Sequence, residues 1–227
     1  MNEEHFNFLL NVEHIAQGNV GRNALNFGNQ IQNIENLPNI LDKQLNRNEL
    51  VEICSNENFS NLTLAVAILA WGGMRFDHAR NLFQNWNYLN PIIQNLRIGV
   101  IQTRQGAFKA LQNERANGHL PGLGIGYFTK LICFLNPNLN GYILDQWTGK
   151  SINLLWNEPL VQISNLGWVT DNNTPETYEH FCQRLEHLAV ELEVEPLEVE
   201  ERIFSVGGRN PGQWRQYLNH NYPQHFV

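Results

Sequence analysis

The sequence predicts an all-α fold, and three observations carry that prediction. Apolar residues recur at helical spacing along most of the 227 residues. The segments they mark begin at Ser, Thr or Asn and stop at Gly or Pro, the residues that open and close helices. No stretch alternates apolar and polar residues as a half-buried strand does. Apolar residues make up 42% of the chain, enough for a packed interior, and the many Asn residues interrupt the periodic segments as loops and helix ends. A chain of this length is expected to form a single domain over residues 1–227, two-lobed, with chain halves that cross over each other.

The elements follow in order. Leu62–Trp71 is almost wholly apolar and reads as a buried helix, opened by Ser60 or Asn61 and ended by Gly72-Gly73. A short helix is expected around His78–Trp86. Gln105–Arg115 reads as an amphipathic helix with Phe108 and Leu111 on one face. The segment from Gly118 to Gly124 is too rich in glycine to be helical, and helical spacing resumes over Ile125–Leu135 until Pro137 stops it. Tyr142–Leu155 reads as another helix. Thr174-Pro175 is an N-cap with Pro at the first helical position, and the helix it starts places Phe181, Leu185, Leu188 and Leu192 on one stripe. Pro196 opens a last helix expected to end at Gly207-Gly208.

Composition narrows the function classes. Cys54, Cys133 and Cys182 lie far apart, with no Cys or His at metal-ligand spacing, so zinc and iron–sulfur centres are not expected and the thiols read as buried. The N-terminus carries acids and no apolar run has the length of a membrane span, which points to a cytoplasmic protein. The net charge of -7 is uneven. Residues 75–150 hold eight Lys/Arg against three acids, whereas residues 1–74 hold three against eight and residues 151–227 four against eleven. The basic segment is the one with the chemistry-bearing motifs, as a protein that grips an anionic backbone locally requires.

The first motif is Leu120-Pro-Gly-Leu-Gly124, inside a candidate helix-hairpin-helix at about residues 105–135. Gly122 and Gly124 permit a tight hairpin and leave backbone N–H groups bare at the start of the second helix. Such a helix start attracts phosphate through unpaired donors and its dipole, without reading sequence. The second motif is Tyr142-Ile-Leu-Asp145-Gln-Trp-Thr-Gly-Lys150, with an acid one loop beyond the hairpin's second helix and a base five residues later. A lone Asp in such a place is commonly a helix cap; an Asp at this distance after a hairpin of this kind points to chemistry.

On these residues the chain resembles the helix-hairpin-helix DNA glycosylases with a Gly/Pro-rich loop followed by Asp, and within them the 8-oxoguanine glycosylase branch. The resemblance covers roughly residues 60–208. It implies a two-lobed helical glycosylase fold acting on double-stranded DNA as a monomer. It places the catalytic acid at Asp145, DNA contacts at Gly122, Gly124, Gly126 and Lys150, and the base-stacking ring at Phe204 in Ile203-Phe204-Ser205. Glu200 stands where the branch has a Gln that reads the base edge; a carboxylate there can accept from guanine N1–H and N2–H₂. Ala79-Arg80 resembles the segment that contacts the orphaned partner base, with Arg75 near the position that fills the gap. The additional N-terminal domain of the eukaryotic oxoguanine enzymes has no room in this chain, which leaves the lesion open.

One departure concerns the nucleophile. Members that also cleave the strand carry Lys two residues after the second hairpin Gly, and this chain has Gly126 there. Lys130 is one helical turn further on and shares that face. A nucleophilic lysine must be neutral when it attacks, and burial beside Tyr127, Phe134 and Phe204 would favour the neutral form. The expected activity is therefore excision of a flipped guanine-type or otherwise modified base, with β-elimination through Lys130, in repair or in defence against foreign DNA. Tyr127 joins Phe204 and Glu200 in the expected base pocket. No metal or organic cofactor is expected, beyond a monovalent cation on hairpin carbonyls. The alternative is a non-catalytic helix-hairpin-helix module that docks on nucleic acid; a third reading is a protein-interaction domain.

Overall fold

The computed structural model describes residues 1–16, 18–31, 34, 37–207, 210–223 and 226. Twelve α-helices account for most of them: α1 (Glu3–Leu10), α2 (Ala24–Asn29), α3 (Arg47–Ser55), α4 (Asn61–Trp71), α5 (Phe76–Gln84), α6 (Trp86–Arg97), α7 (Arg104–Ala116), α8 (Ile125–Leu135), α9 (Gln146–Trp156), α10 (Pro175–Leu192), α11 (Pro196–Phe204) and α12 (Gln213–Asn221). Among the described residues, β pairing is limited to the isolated bridges Val20–Leu45 and Ile163–Val169. The fold is all-α. No described helix is long and apolar enough to cross a membrane.

The chain divides into two compact units, a central one (Gly18–Gly141) and a terminal one (Met1–Gln17 with Tyr142–Val227). In the central unit α4 is the hub. Thr63 to Trp71 are all buried, because the helix is apolar on every face, and α2, α3, α6 and α8 pack around it. Ser60 caps it by accepting from Thr63 N. In the terminal unit α9, α10 and α11 pack on one another, with α1 and α12 against α9. The stripe Phe181, Leu185, Leu188 and Leu192 of α10 is buried as its spacing predicts. Ser151 joins three elements here: its Oγ accepts from Trp214 Nε1 (2.8 Å) and donates to Ile203 O (2.9 Å). Of the charges, the central unit carries ten Lys/Arg against seven acids and the terminal unit five against fifteen.

Three expectations need correction. The helix expected at His78–Trp86 is two helices, α5 and α6, separated at Asn85 (φ -105°, ψ 26°), and α6 runs on through Pro91. The helix expected over Tyr142–Leu155 begins at Gln146, because Asp145 takes the N-cap and the distant side chains of Tyr178 and Glu200 hold the backbone of Tyr142 and Ile143. The helix from Pro196 ends at Phe204, where Ser205 turns away at φ 54°, and it is followed by α12. Gly208, part of the expected stop, lies outside the described residues.

Candidate active site

In the central unit, α7 and α8 pack together and are joined through residues 117–124. Gly122 sits at φ 79° and lies so near α5 that a Cβ would come within 2.8 Å of the His78 Cβ. Both the left-handed backbone and the close approach demand glycine. Gly124 is the N-cap of α8 and brings no side chain to it, so no cap side chain meets the amides of Ile125 and Gly126, while Tyr127 N donates to Gly124 O at 2.9 Å. Leu120 O accepts from Leu123 N, and Leu123 O accepts from Arg115 Nη1 at 3.2 Å. Arg115 thus brings a positive charge to one hairpin carbonyl, that of Leu123, in the loop where a monovalent cation is expected.

Lys130 lies one turn into α8. Its Nζ donates to the Gly126 carbonyl at 2.8 Å and rests 5.8 Å from the Tyr127 ring centroid. Its methylenes run over Gly72 at the end of α4; a Cβ on Gly72 would stand 3.0 Å from the lysine Cδ. The half-buried Tyr127 phenol is pushed above its ordinary pKa by desolvation, with Arg22 and Arg75 pulling the other way. Arg75, the N-cap of α5, is exposed and pairs two-pronged with Asp77 (Nε–Oδ1 3.0 Å, Nη2–Oδ2 2.7 Å). Arg80 is exposed and donates from Nε to Gln30 O at 3.2 Å.

In the terminal unit the segment leading to Asp145 is held by three buried side chains. Tyr178 Oη donates to Tyr142 O at 2.8 Å, Glu200 Oε2 accepts from Ile143 N at 2.9 Å, and Thr148 Oγ1 donates to Ile143 O at 2.9 Å. Asp145 then caps α9. Its Oδ1 accepts from Trp147 N (2.8 Å) and Thr148 N (3.1 Å), while Thr148 Oγ1 accepts from Asp145 N (3.0 Å). The reciprocal cap fixes the carboxylate against the positive end of the helix and leaves Oδ2 clear of it.

Glu200, expected to read a base edge, is 2% exposed and commits one carboxylate oxygen to Ile143 N. As it stands, it props the segment that delivers Asp145. Lys150 lies over the Trp147 and Tyr222 rings (5.6 and 5.3 Å), and desolvation pushes its pKa below the ordinary lysine value. The half-buried Phe204 meets a residue that sequence reasoning missed. The Arg215 guanidinium carbon lies 4.6 Å from the Phe204 centroid and 4.3 Å from that of Trp147, and Nη2 donates to the carbonyls of Phe204 and Ser205.

A family model described as "Putative 8-oxoguanine DNA glycosylase OGG-like protein" matches residues 15–204. The chain belongs to this family. No curated protein and no solved structure matches it. The OGG-like match spans the hairpin, Lys130, Asp145, Lys150, Glu200 and Phe204, and stops short of α12 and Arg215. Within the OGG-like chain Thr148 was legible as the third position of an Asp-x-x-Thr cap. Arg215 left no such signal: in Gln-Trp-Arg-Gln-Tyr it reads as an ordinary surface cation, and only packing reveals it as buried.

Proposed function

We propose that this chain is a DNA glycosylase that excises a flipped, guanine-type or otherwise modified base, and that Lys130 gives it β-elimination lyase activity. Asp145 carries the reading. A carboxylate fixed by a reciprocal helix cap, with Oδ2 clear of that cap, is suited to stabilise positive charge developing at C1′ without reorganising. The amides at the start of α8 bind a backbone phosphate of double-stranded DNA, with Arg75 and Arg80 contributing on the same unit. The target nucleotide is flipped because C1′ is out of reach inside the stack, and Phe204 stacks on its base. Glu200 holds the approach to Asp145, and Tyr127 lies on the wall beside Lys130.

The location of the Lys130 ammonium supports the lyase step. It reaches back to the carbonyl of Gly126, the residue that stands where related enzymes root their lysine. The neutral amine attacks C1′, the glycosidic bond breaks, and the base leaves with the bonding pair and takes up a proton. Loss of the C1′–O4′ bond gives a Schiff base, from which removal of a C2′ proton expels the 3′ phosphate.

Asp145→Asn tests the first claim: base release falls by about 10²-fold or more while DNA affinity stays within a few fold. Retained release sinks the assignment. Borohydride tests the second: a covalent adduct forms with the wild type and is lost in Lys130→Ala. If Lys150→Ala abolishes it instead, the amine is Lys150; free base without an adduct means water is the nucleophile. Salt-sensitive DNA binding with no release from any modified duplex leaves a binding module.

A further inference from the structure

Between α9 and α10 the chain forms a short hairpin, closed by the Ile163–Val169 bridge. Two fully buried side-chain amides, those of Asn153 and Asn173, hold its backbone. Asn153 accepts from Val161 N and donates to Val161 O, both at 2.8 Å. Asn173 does the same for Gln162 and also donates to Thr170 O. At the tip, Ser164 O accepts from Gly167 N (2.8 Å) and Ser164 Oγ accepts from Trp168 N (3.1 Å). Gly167 sits at φ 85° against α9; a Cβ there would stand 2.8 Å from Gln146 Oε1 and 3.6 Å from Lys150 Nζ. The hairpin is thus an ordered part of the terminal unit, packed on the helix that Asp145 caps.

What this scaffold presents is apolar. Leu166 is 82% exposed and Trp168 is 63% exposed. Large apolar side chains left in water on an ordered backbone mark a contact surface, because binding there requires little further ordering. The surrounding charge indicates the partner. Residues 159–170 carry no charge, in a unit with five Lys/Arg against fifteen acids, and the cation packed against the hairpin is Lys150. An apolar surface without acids and with a cation at its base suits a strand of nucleic acid. Duplex DNA carries a phosphate about every 1.7 Å and a single strand one about every 3.4 Å, so the acidic unit opposes a duplex more strongly than a single strand. An exposed indole offers an unpaired base a face to stack on, whereas within a duplex both base faces are already covered by neighbours.

We propose that the hairpin is a site for an unpaired nucleotide: Trp168 stacks on a base of single-stranded DNA flanking the target, Leu166 adds apolar contact, and Lys150 meets the adjoining phosphate. This rests on the reading of the chain as one that acts on DNA. The favoured substrate is then a modified base next to an unpaired stretch, such as a bubble, a strand end or a displaced strand.

The test measures affinity by fluorescence anisotropy, at one salt concentration, for two labelled duplexes that carry the same abasic-site analogue. One is fully paired; the other has a short unpaired stretch on each side of the analogue. The wild type should bind the second about tenfold more tightly, the size expected of one stacked base. Trp168→Ala, shown folded by circular dichroism, should bring the two affinities to within about twofold, and Trp168→Phe should keep most of the preference. No preference in the wild type, or the full preference in folded Trp168→Ala, overturns the inference. So does an equal loss on both duplexes, which would make Trp168 a general contact. Sedimentation covers the other occupant: a wild-type dimer that Trp168→Ala converts to monomer would assign the tip to a second copy of the chain and overturn the inference. Every arm reads binding or assembly, so the glycosylase reading fails separately. A preference that depends on Trp168 with no base release from any modified DNA would keep the hairpin site and remove that reading; base release without the preference would do the reverse.

Discussion

Replacing Thr148 with Val tests the physics that holds Asp145. Thr148 is fully buried, and its Oγ1 both accepts from Asp145 N at 3.0 Å and donates to Ile143 O at 2.9 Å. Valine has nearly the same shape, so what is lost is the hydroxyl, and two backbone groups lose that partner in one step. Each unmet buried group costs about 1–3 kcal/mol, with the lower end for Asp145 N, which is only half-buried, giving about 2–4 kcal/mol together. With a urea dependence of about 2–3 kcal/mol per molar for a chain of this size, the unfolding midpoint falls by about 1 M. Thr148→Ser keeps both hydrogen bonds and serves as the control. Base release should fall alongside stability at temperatures where both variants are folded, because the carboxylate loses half of its reciprocal cap. Equal midpoints for the Val and Ser variants would refute the reasoning, whatever their activity.

Three further outcomes are expected. Gly72→Ala sets a Cβ 3.0 Å from Lys130 Cδ and 3.3 Å from Cε, so the lysine must move by a few tenths of an ångström; the borohydride adduct should fall several-fold with little change in Tm. Gly122→Ala places a Cβ 2.8 Å from the His78 Cβ on a backbone at φ 79°, and should cost about 1–3 kcal/mol in thermal unfolding. Burial pushes the Cys54 thiol up to about 12. The native state therefore favours the protonated thiol, a stabilisation fully present below its unfolded pKa near 9 and lost as pH rises toward 12. Alkylation of native Cys54 should show no inflection near pH 9, and an inflection there would contradict the burial argument.

The helices most legible in the sequence were those whose ends are local. Ser60 and Gly72 bound α4, Pro137 follows α8, and Thr174-Pro175 opens α10, each through contacts within a few residues. The misread stretch at Tyr142–Leu144 is apolar enough to pass for helix. Tyr178, 36 residues away, and Glu200, 57 residues from Ile143, satisfy its backbone instead. The same division runs through the candidate site. The hairpin glycines and Asp145 show in spacing alone. The duties of Glu200 and Arg215 depend on which backbone groups tertiary packing brings to them, and no window around either residue contains that information.

The contact between Lys130 and Gly126 bears on how such chains are compared. One turn of helix rises about 5.4 Å, a distance that the four methylenes of a lysine can span. A survey sorted by alignment column would record glycine at 126 and score the amine as lost. The ammonium is nevertheless one hydrogen bond from that residue's backbone. A comparison by the position of the nitrogen keeps Lys130 in view where a comparison by column drops it.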